Sequence, residues 1–268
     1  MSEEALPAWA RILTVIGSPV VEHWQTARLT FKLYRQITSR LFSGHIRVAE
    51  VLHSVTHMGI GSLPVVTIST AFAGVVVTGE IAWHMDRALH TITMIPGFAG
   101  QFTLREIGVA IPALLFVSKV GASTTAEVGT MRITEQIDAL RLLGIDPVDY
   151  LVVPRWMAGI ISMMCLTLVA ITVTLGCSLA LAVSQFGFST LEYMNALRHF
   201  VGLKDLGAAM AKSVVFGGLV PVISCAYGLR CRGGAEGVGT ATTNAVVAST
   251  IVVIVADFIL TFLFSTIL

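Results

Sequence analysis

Long stretches without a charged side chain constrain this chain more than any other feature of its sequence. Residues 51–79, 156–191 and 213–229 contain no Asp, Glu, Lys or Arg, and residues 237–268 contain only Asp257. A helix needs about 20 mostly apolar residues to cross a membrane, so each stretch holds one span, and the third begins a turn or so before residue 213. Charged residues make up 12% of the chain, about half of the roughly 25% typical of soluble domains. This excludes a mainly soluble protein.

Residues 88–118 form a fifth apolar region, which two adjacent charges divide. Arg105 and Glu106 separate 17 uncharged residues from 12, and neither part is long enough to cross a membrane alone. We interpret the region as one interrupted span with the ion pair inside it, kinked at Pro96 and Pro112. The alternative is a short surface loop at the charged pair, between two half-spans.

These regions predict an all-α integral membrane protein. The five predicted spans cover about residues 48–79, 88–118, 156–184, 208–230 and 240–266. An odd number of spans places the termini on opposite sides of the membrane. Lys and Arg favour cytoplasmic segments, and residues 1–50, 119–155 and 230–236 together contain 12 of the 17 basic residues. We therefore expect the N-terminus inside and the C-terminus outside.

The N-terminal arm, residues 1–44, precedes the first span. Residues 24–42 have the pattern of an amphipathic helix, because Arg28, Lys32 and Arg35 recur at helical spacing beside an apolar stripe. A basic face beside an apolar, aromatic face suits a helix that lies in the membrane interface. The alternative is a small helix packed on the cytoplasmic side of the protein.

The segment between the second and third spans is too polar to cross a membrane. Its residues 130–143 are predicted to form one short amphipathic helix, which Gly144 and Pro147 end. The charges on this helix are of both signs, whereas a helix that only lies on a membrane is mostly basic. A protein partner is therefore favoured, and a simple surface connector is the alternative.

Three sequence motifs are similar to those of the MlaE/YrbE family of ABC-transporter permeases. They are ALLFVSKVGASTTAEVGTMRITEQIDALRLLGIDPVDYLVVPRWMAG (113–159), GGAEGVGTATTNAVVAS (233–249) and LREIG (104–108). The resemblance extends from about residue 45 to the C-terminus, and it implies that residues 45–268 form a five-span permease domain. It also implies a homodimer in the bacterial inner membrane, with the C-terminus in the periplasm.

The resemblance further implies the function and the partners. The chain would be the permease subunit of an ATP-driven transporter that moves lipids, typically phospholipids, between the inner and outer membranes. ATP and Mg²⁺ would be used by a separate cytoplasmic ABC ATPase, so this chain would be no enzyme and would bind no cofactor. A periplasmic MCE-domain lipid carrier, and in some systems a STAS-domain protein, would complete the assembly, and no nucleic acid is involved.

By the same resemblance, residues 127–147 would be the coupling segment that contacts the ATPase. The residues expected to make this contact are Glu127, Arg132, Glu135 and Asp138 through polar groups, and Ile137 and Leu140 through packing. The first and last spans would line the lipid-binding space. Its candidate residues are Phe72, Val76, Val77, Ile81, Phe258 and Phe262.

Four charged residues are predicted to lie inside the membrane: Arg105, Glu106, Lys212 and Asp257. At about 1.5 Å per residue, Lys212 and Asp257 lie roughly 27 Å and 30 Å from the inner surface, so they are expected to meet. The Arg105–Glu106 pair is expected a turn or two below them. We predict a charge network, because unpaired charges in a membrane cost several kcal/mol. The alternative is that Lys212 extends outward to the interface.

Other classes of function find little support in the sequence. His53 and His57 share a helix face, but a metal site would need more ligands than Glu50 offers nearby, so no metal is expected. An ion-coupled secondary transporter should show an internal repeat, and none is visible among the five spans. A membrane-embedded lipid enzyme would need a convergent catalytic cluster, and the sequence shows none.

Overall fold

The computed structural model describes residues 8–41, 47–89 and 93–267. These residues are almost entirely helical and contain no strand, which confirms the predicted all-α class. The helices are α1 (Ala8–Leu41), α2 (Val48–Met58), α3 (Leu63–Leu89), α4 (Ile95–Phe102), α5 (Gly108–Phe116), α6 (Ala122–Ile133), α7 (Gln136–Leu142), α8 (Val153–Phe186), α9 (Thr190–Phe200), α10 (Leu203–Leu229) and α11 (Gly234–Ile267).

Five helical segments within the described residues are long and apolar enough to cross a membrane, as predicted. They are Val48–Arg87, Ile95–Ile133, Val148–Phe186, Leu203–Leu229 and Gly234–Thr266. Most of them extend beyond the predicted limits, because helices continue past the apolar core into polar turns at either end. We call the two ends of the helical bundle the α1 end and the α9 end, after the helices that lie there.

The second span is continuous rather than divided by a loop. Helices α4, α5 and α6 follow one another through two wider π-helical turns, Thr103–Ile107 and Val117–Gly121. The charged pair predicted to interrupt the span lies inside the first of these turns, so the surface-loop alternative is wrong. A π turn inserts one residue into a helix, and such turns are frequent at functional sites.

Helix α10 is the centre of the bundle, and it packs against α8, α6 and α11. Its packing on α8 depends on two glycines that face each other. A Cβ atom on Gly159 would lie 2.4 Å from the carbonyl oxygen of Gly217, and one on Gly217 would lie 2.6 Å from that of Gly159. Only glycine allows the two backbones to approach this closely, as is common between helices in membranes.

A series of side-chain hydrogen bonds inside the bundle joins α9 to α8 and α3. The Tyr193 hydroxyl of α9 donates to Ser178 Oγ at 2.9 Å, and the Thr78 hydroxyl of α3 lies 2.7 Å from the same atom. Helix α9, which the sequence did not predict, begins with a capping box between Ser189 and Glu192. Hydrogen bonds from the Ser189 backbone and hydroxyl lower the pKa of the Glu192 carboxyl.

Helix α1 packs against the bundle with one face and exposes the other. Leu33 and Ile37 are buried, while Arg28, Lys32 and Arg35 are exposed. The apolar stripe of the predicted amphipathic helix therefore lies on protein, as in the packed-helix alternative. The observed helix begins at Ala8, well before the predicted residue 24.

Candidate functional site

A buried lysine organises the charged cluster inside the bundle. Lys212 of α10 is 2% exposed. Its ammonium donates hydrogen bonds to the Arg105 carbonyl oxygen at 2.7 Å, to Glu106 Oε1 at 3.1 Å and to Thr261 Oγ1 at 2.7 Å. Asp257 Oδ1 lies 2.9 Å from the same nitrogen as an ion pair, without hydrogen-bond alignment. One cation thus joins the second, fourth and fifth spans.

The cluster contains one more carboxylate than ammonium groups. Thr261 supplies an additional contact, because its hydroxyl donates to Glu106 Oε1 at 2.8 Å. Removing one partner of a buried ion pair costs about 3–5 kcal/mol, since the remaining charge loses its compensation. Charged groups at this depth are rare in membrane proteins and mark functional positions.

Arg105 does not belong to the Lys212 cluster through its side chain. Its Nε atom donates to Asp205 Oδ1 at 2.8 Å, and Asp205 Oδ2 accepts the Gly202 N–H at 3.0 Å. The expectation that Arg105 and Glu106 form one pair below Lys212 is wrong, because neighbouring residues on a helix point in different directions. Glu106 reaches Lys212 instead, at the same level as Asp257.

Asp205 was missed by the sequence analysis. It is only 6% exposed and closes the first turn of α10 while neutralising Arg105. A signal was present in the sequence, because an acidic residue three positions after Gly202, just before an apolar run, matches a helix N-terminus. Two residues outside the predicted four are therefore partners in these contacts: Asp205 pairs with Arg105, and Thr261 bonds to Lys212 and Glu106.

The segment expected to couple to an ATPase lies at the α1 end. The predicted helix over 130–143 is not continuous: α6 ends at Ile133, and α7 begins at Gln136. Between them, Glu135 has a left-handed backbone with φ of 59°, which is uncommon for a residue other than glycine. The Arg132 guanidinium bridges the break by donating to both Asp138 carboxylate oxygens, at 2.8 and 2.9 Å.

The break changes which side chains of this segment are available to a partner. Ile137 is fully buried, in the same cluster as Leu33 and Ile37 of α1. The prediction that Ile137 packs on the ATPase is therefore wrong for this conformation, because its surface is covered by the chain's own helices. Leu142 and Leu143, which are 90% and 75% exposed, are the apolar side chains that face outward here, and Leu140 is half-buried.

The polar residues predicted for coupling are on the surface. Glu127 is half-exposed, and its carboxylate accepts a hydrogen bond from the Arg155 guanidinium at 2.6 Å. Glu135 is exposed. Arg40 of α1 pairs with Asp146, near the end of the coupling segment, and with Asp149, just after it. Helix α1 thus holds the coupling segment on the bundle.

The candidate lipid-pocket residues lie on the outer surface of the single chain. Phe72, Phe258 and Phe262 are 68%, 71% and 68% exposed. Val76 is 59% exposed, and Val77 and Ile81 are partly buried. These side chains belong to α3 and α11, which are the first and last spans.

The family model described as Permease MlaE matches residues 51–263 of this chain. This chain belongs to the MlaE permease family. The match begins in α2 and ends in α11, so it includes the three middle spans of this MlaE-family permease whole and most of the first and last spans, while α1 precedes it. The family membership expected from the three sequence motifs is confirmed.

Relatives in several organisms agree with the family. A probable ABC transporter permease of Synechocystis sp. is 34% identical over 233 residues, which are 87% of this chain and 88% of that protein. A probable ABC transporter permease of Rickettsia typhi is 31% identical over 256 residues, 93% of this chain and 96% of that protein. The Arabidopsis thaliana protein TRIGALACTOSYLDIACYLGLYCEROL 1, chloroplastic, is 35% identical over 229 residues, 85% of this chain and 65% of that protein.

Family and fold together make this MlaE-family chain a multi-pass membrane transport permease. Among the residues that the structure describes, no group of three His, Cys, Asp or Glu side chains could hold a metal ion. His53 and His57 are exposed on one wall of a cavity at the α1 end.

Proposed function

We propose that this MlaE-family permease is the membrane subunit of an ATP-driven transporter that moves phospholipids between a bacterial inner membrane and a periplasmic MCE-domain carrier. It acts as a homodimer with a cytoplasmic ABC ATPase, and a STAS-domain protein joins some assemblies. The ATPase, not this chain, binds ATP and Mg²⁺. The α1 end faces the cytoplasm, and the C-terminus lies in the periplasm.

The observation that best supports a lipid substrate is the exposure of α11. Only 11% of the most apolar stretch of α11 is buried within the chain, compared with 61% of the corresponding stretch of α10. Phe258 and Phe262 extend from this uncovered face, and Phe72 extends from α3. In a homodimer, faces of this kind from two copies can enclose an apolar space between them, and such a space suits acyl chains.

The names of relatives support the same proposal. Two of them are probable ABC transporter permeases, which act with an ATPase, and the plant relative is named for a galactolipid that contains diacylglycerol. A lipid with two acyl chains fits an apolar space between two copies better than a small polar solute does.

The surface around the break between α6 and α7 is the proposed contact with the ATPase. Glu135 supplies a charge, and Leu142 and Leu143 supply exposed apolar area. Apolar side chains beside charged ones are typical of the centre and rim of a protein interface. Because α1 holds this segment on the bundle, a push from the ATPase would reach the spans directly.

The substrate is tested by reconstituting the chain with its ATPase in phospholipid vesicles. We expect ATP-dependent transfer of a fluorescent phospholipid between the vesicles and a soluble MCE domain, and retention of phospholipid by the purified complex in mass spectrometry. Transfer that occurs equally without ATP, or a purified complex without lipid, would contradict the proposal.

The ATPase contact is tested by Glu135→Lys, with Glu80→Lys as the matched control at the α9 end. Both change one exposed carboxylate to an ammonium group, but Glu80 lies on α3, far from the break. We expect Glu135→Lys to weaken ATPase binding about tenfold, because it reverses the sign of a charge at the proposed contact. Equal binding by the two variants would show that the contact lies elsewhere.

A further inference from the structure

A cavity of about 370 Å³ opens at the α1 end, between α2, α6 and the beginning of α8. Its volume is within the range of about 300–1,000 Å³ typical of small-molecule sites. The polar side chains that line it and matter here are Glu50, His53, His57, Thr124, Glu127 and Arg155. Neither the charge cluster around Lys212 nor the exposed faces of α3 and α11 belongs to it.

The polar groups of α2 follow an order along the cavity. His53 follows Glu50 by three residues and His57 follows it by seven, so the three side chains share one face of the helix. At about 1.5 Å per residue, His53 lies roughly 4.5 Å and His57 roughly 10 Å deeper than Glu50. Met58 is buried beside His57 and also lines the cavity. The wall therefore changes from a carboxylate at the mouth, through two imidazoles, to an apolar floor.

The charges on the wall do not cancel. The Arg155 guanidinium donates to Glu127 Oε1 at 2.6 Å and to the Leu151 carbonyl oxygen at 2.9 Å. Its charge is thus already compensated, and it is nearly covered, with an 11% exposed side chain. Glu50 forms no ion pair with any residue that the structure describes. One uncompensated carboxylate at the mouth favours a ligand whose outermost group is a cation with hydrogen-bond donors.

The deeper part of the wall favours an anion. Neutral or protonated, an imidazole offers at least one N–H donor, and His53 and His57 are both exposed. A ligand that fits the whole wall has an ammonium group, then an anionic group about one turn of helix deeper, then an apolar part. The two-carbon link in a phosphoethanolamine headgroup separates its ammonium from its phosphate by about the rise between Glu50 and His53.

We propose that this cavity binds the headgroup of an aminophospholipid from the membrane leaflet at the α1 end. The primary ammonium donates to the Glu50 carboxylate, the phosphate oxygens accept from His53 and His57, and the glycerol lies toward Thr124 and Met58. The site goes beyond the proposed transport function, because binding here requires neither the ATPase nor the carrier.

The experiment places the full-length chain in nanodiscs that contain equal amounts of phosphatidylethanolamine and phosphatidylcholine. Native mass spectrometry then counts the lipids that each variant retains. The wild-type chain is expected to retain phosphatidylethanolamine in preference, because the trimethylated ammonium of phosphatidylcholine has no N–H to donate to Glu50. Glu50→Gln is expected to lower that preference about tenfold, the effect of losing one charge-assisted hydrogen bond.

Two further variants separate the proposal from a general effect of charge. Glu50→Asp keeps the carboxylate and is expected to keep most of the preference. Glu80→Gln removes an exposed carboxylate of α3, whose only ion-pair contact within the described residues is His84 at 3.8 Å, and it is expected to bind as the wild type does. An equal loss in Glu80→Gln and Glu50→Gln would overturn the proposal.

Other outcomes also overturn it. Equal retention of the two lipids by the wild type would show that the cavity does not recognise the ammonium. Carbodiimide cross-linking of Glu50 to a lysine of the ATPase, with no retained phosphatidylethanolamine in its absence, would assign the cavity to a protein partner instead. Neither result bears on ATP-dependent lipid transfer, so failure here is distinct from failure of the proposed function.

Discussion

The two ions closest to each other in the intramembrane cluster should respond unequally to mutation. Lys212 compensates both Glu106 and Asp257, at 3.1 and 2.9 Å. Lys212→Met leaves two carboxylates without a cation, whereas Asp257→Asn leaves the lysine paired with Glu106 and the cluster without net charge. The geometry thus predicts that the lysine is indispensable and that the aspartate is not.

The magnitudes follow from what each change leaves unpaired. Loss of one partner from a buried ion pair costs about 3–5 kcal/mol, and this is the expected cost of Lys212→Met, because the side chain is only 2% exposed. After Asp257→Asn, Lys212 keeps its ion pair with Glu106 and its hydrogen bonds to Thr261 and the Arg105 carbonyl oxygen, so about 1 kcal/mol is expected, the net value of one ordinary hydrogen bond. At about 2–4 °C per kcal/mol, the two variants should differ in apparent Tm by roughly 5–15 °C.

The assay is thermal unfolding of the detergent-purified chain, with Lys204→Met as the control for losing an exposed lysine of the same helix. The double variant Lys212→Met, Asp257→Asn should be more stable than Lys212→Met alone, since only one carboxylate is then uncompensated. The reasoning is refuted if Asp257→Asn is as damaging as Lys212→Met, or if the effects of the two changes simply add.

Three other changes test the packing of the bundle. Gly217→Ala should cost about 1–3 kcal/mol in thermal unfolding, because its methyl group would overlap the α8 backbone, whereas Gly207→Ala, which has open space around its Cβ position, should be neutral or slightly stabilising. Burial raises the pKa of the Tyr193 hydroxyl, so the folded state keeps a proton that the unfolded state loses, and stability should fall as pH rises above about 10. Tyr193→Phe should remove that part of the pH dependence in melts between pH 8 and 11. Arg40→Ala should change the Tm little, because the guanidinium is 43% exposed, but it should speed proteolytic release of α1, and Arg35→Ala should not.

The distance arithmetic along the chain was reliable where one straight helix joined two points. Helical rise is nearly constant, so the depths of Lys212 and Asp257 could be calculated from the charges at the α1 end, and the structure places these two side chains together. The same arithmetic placed Glu106 too low. The second span contains two wider turns, whose positions depend on packing against α8 and α10 and have no sequence signature.

Periodicity identified the apolar stripe of residues 130–143 but could not say what covers it. Ile137 was expected to face a partner, but it is buried in a cluster formed by the chain's own helices. A stripe of apolar side chains indicates that this face of the helix must be buried. Helices of the same chain or of a partner protein can bury it equally well. For the same reason, α3 and α11 were identified as apolar spans, while only their exposure in the folded chain shows that their surfaces remain available.

The sequence by itself determined that this protein crosses a membrane five times, where its charges are concentrated, and to which family it belongs. These properties depend on the local cost of placing polar groups in a bilayer and on residue types at short spacings. Only the tertiary structure decided the partners of the charges: Glu106 with Lys212, Arg105 with Asp205, and Glu50 with no ion-pair partner among the described residues. The physical reason is that ion pairing acts over a few ångströms between helices, and the rotation of one helix against another is set by packing that no single segment encodes.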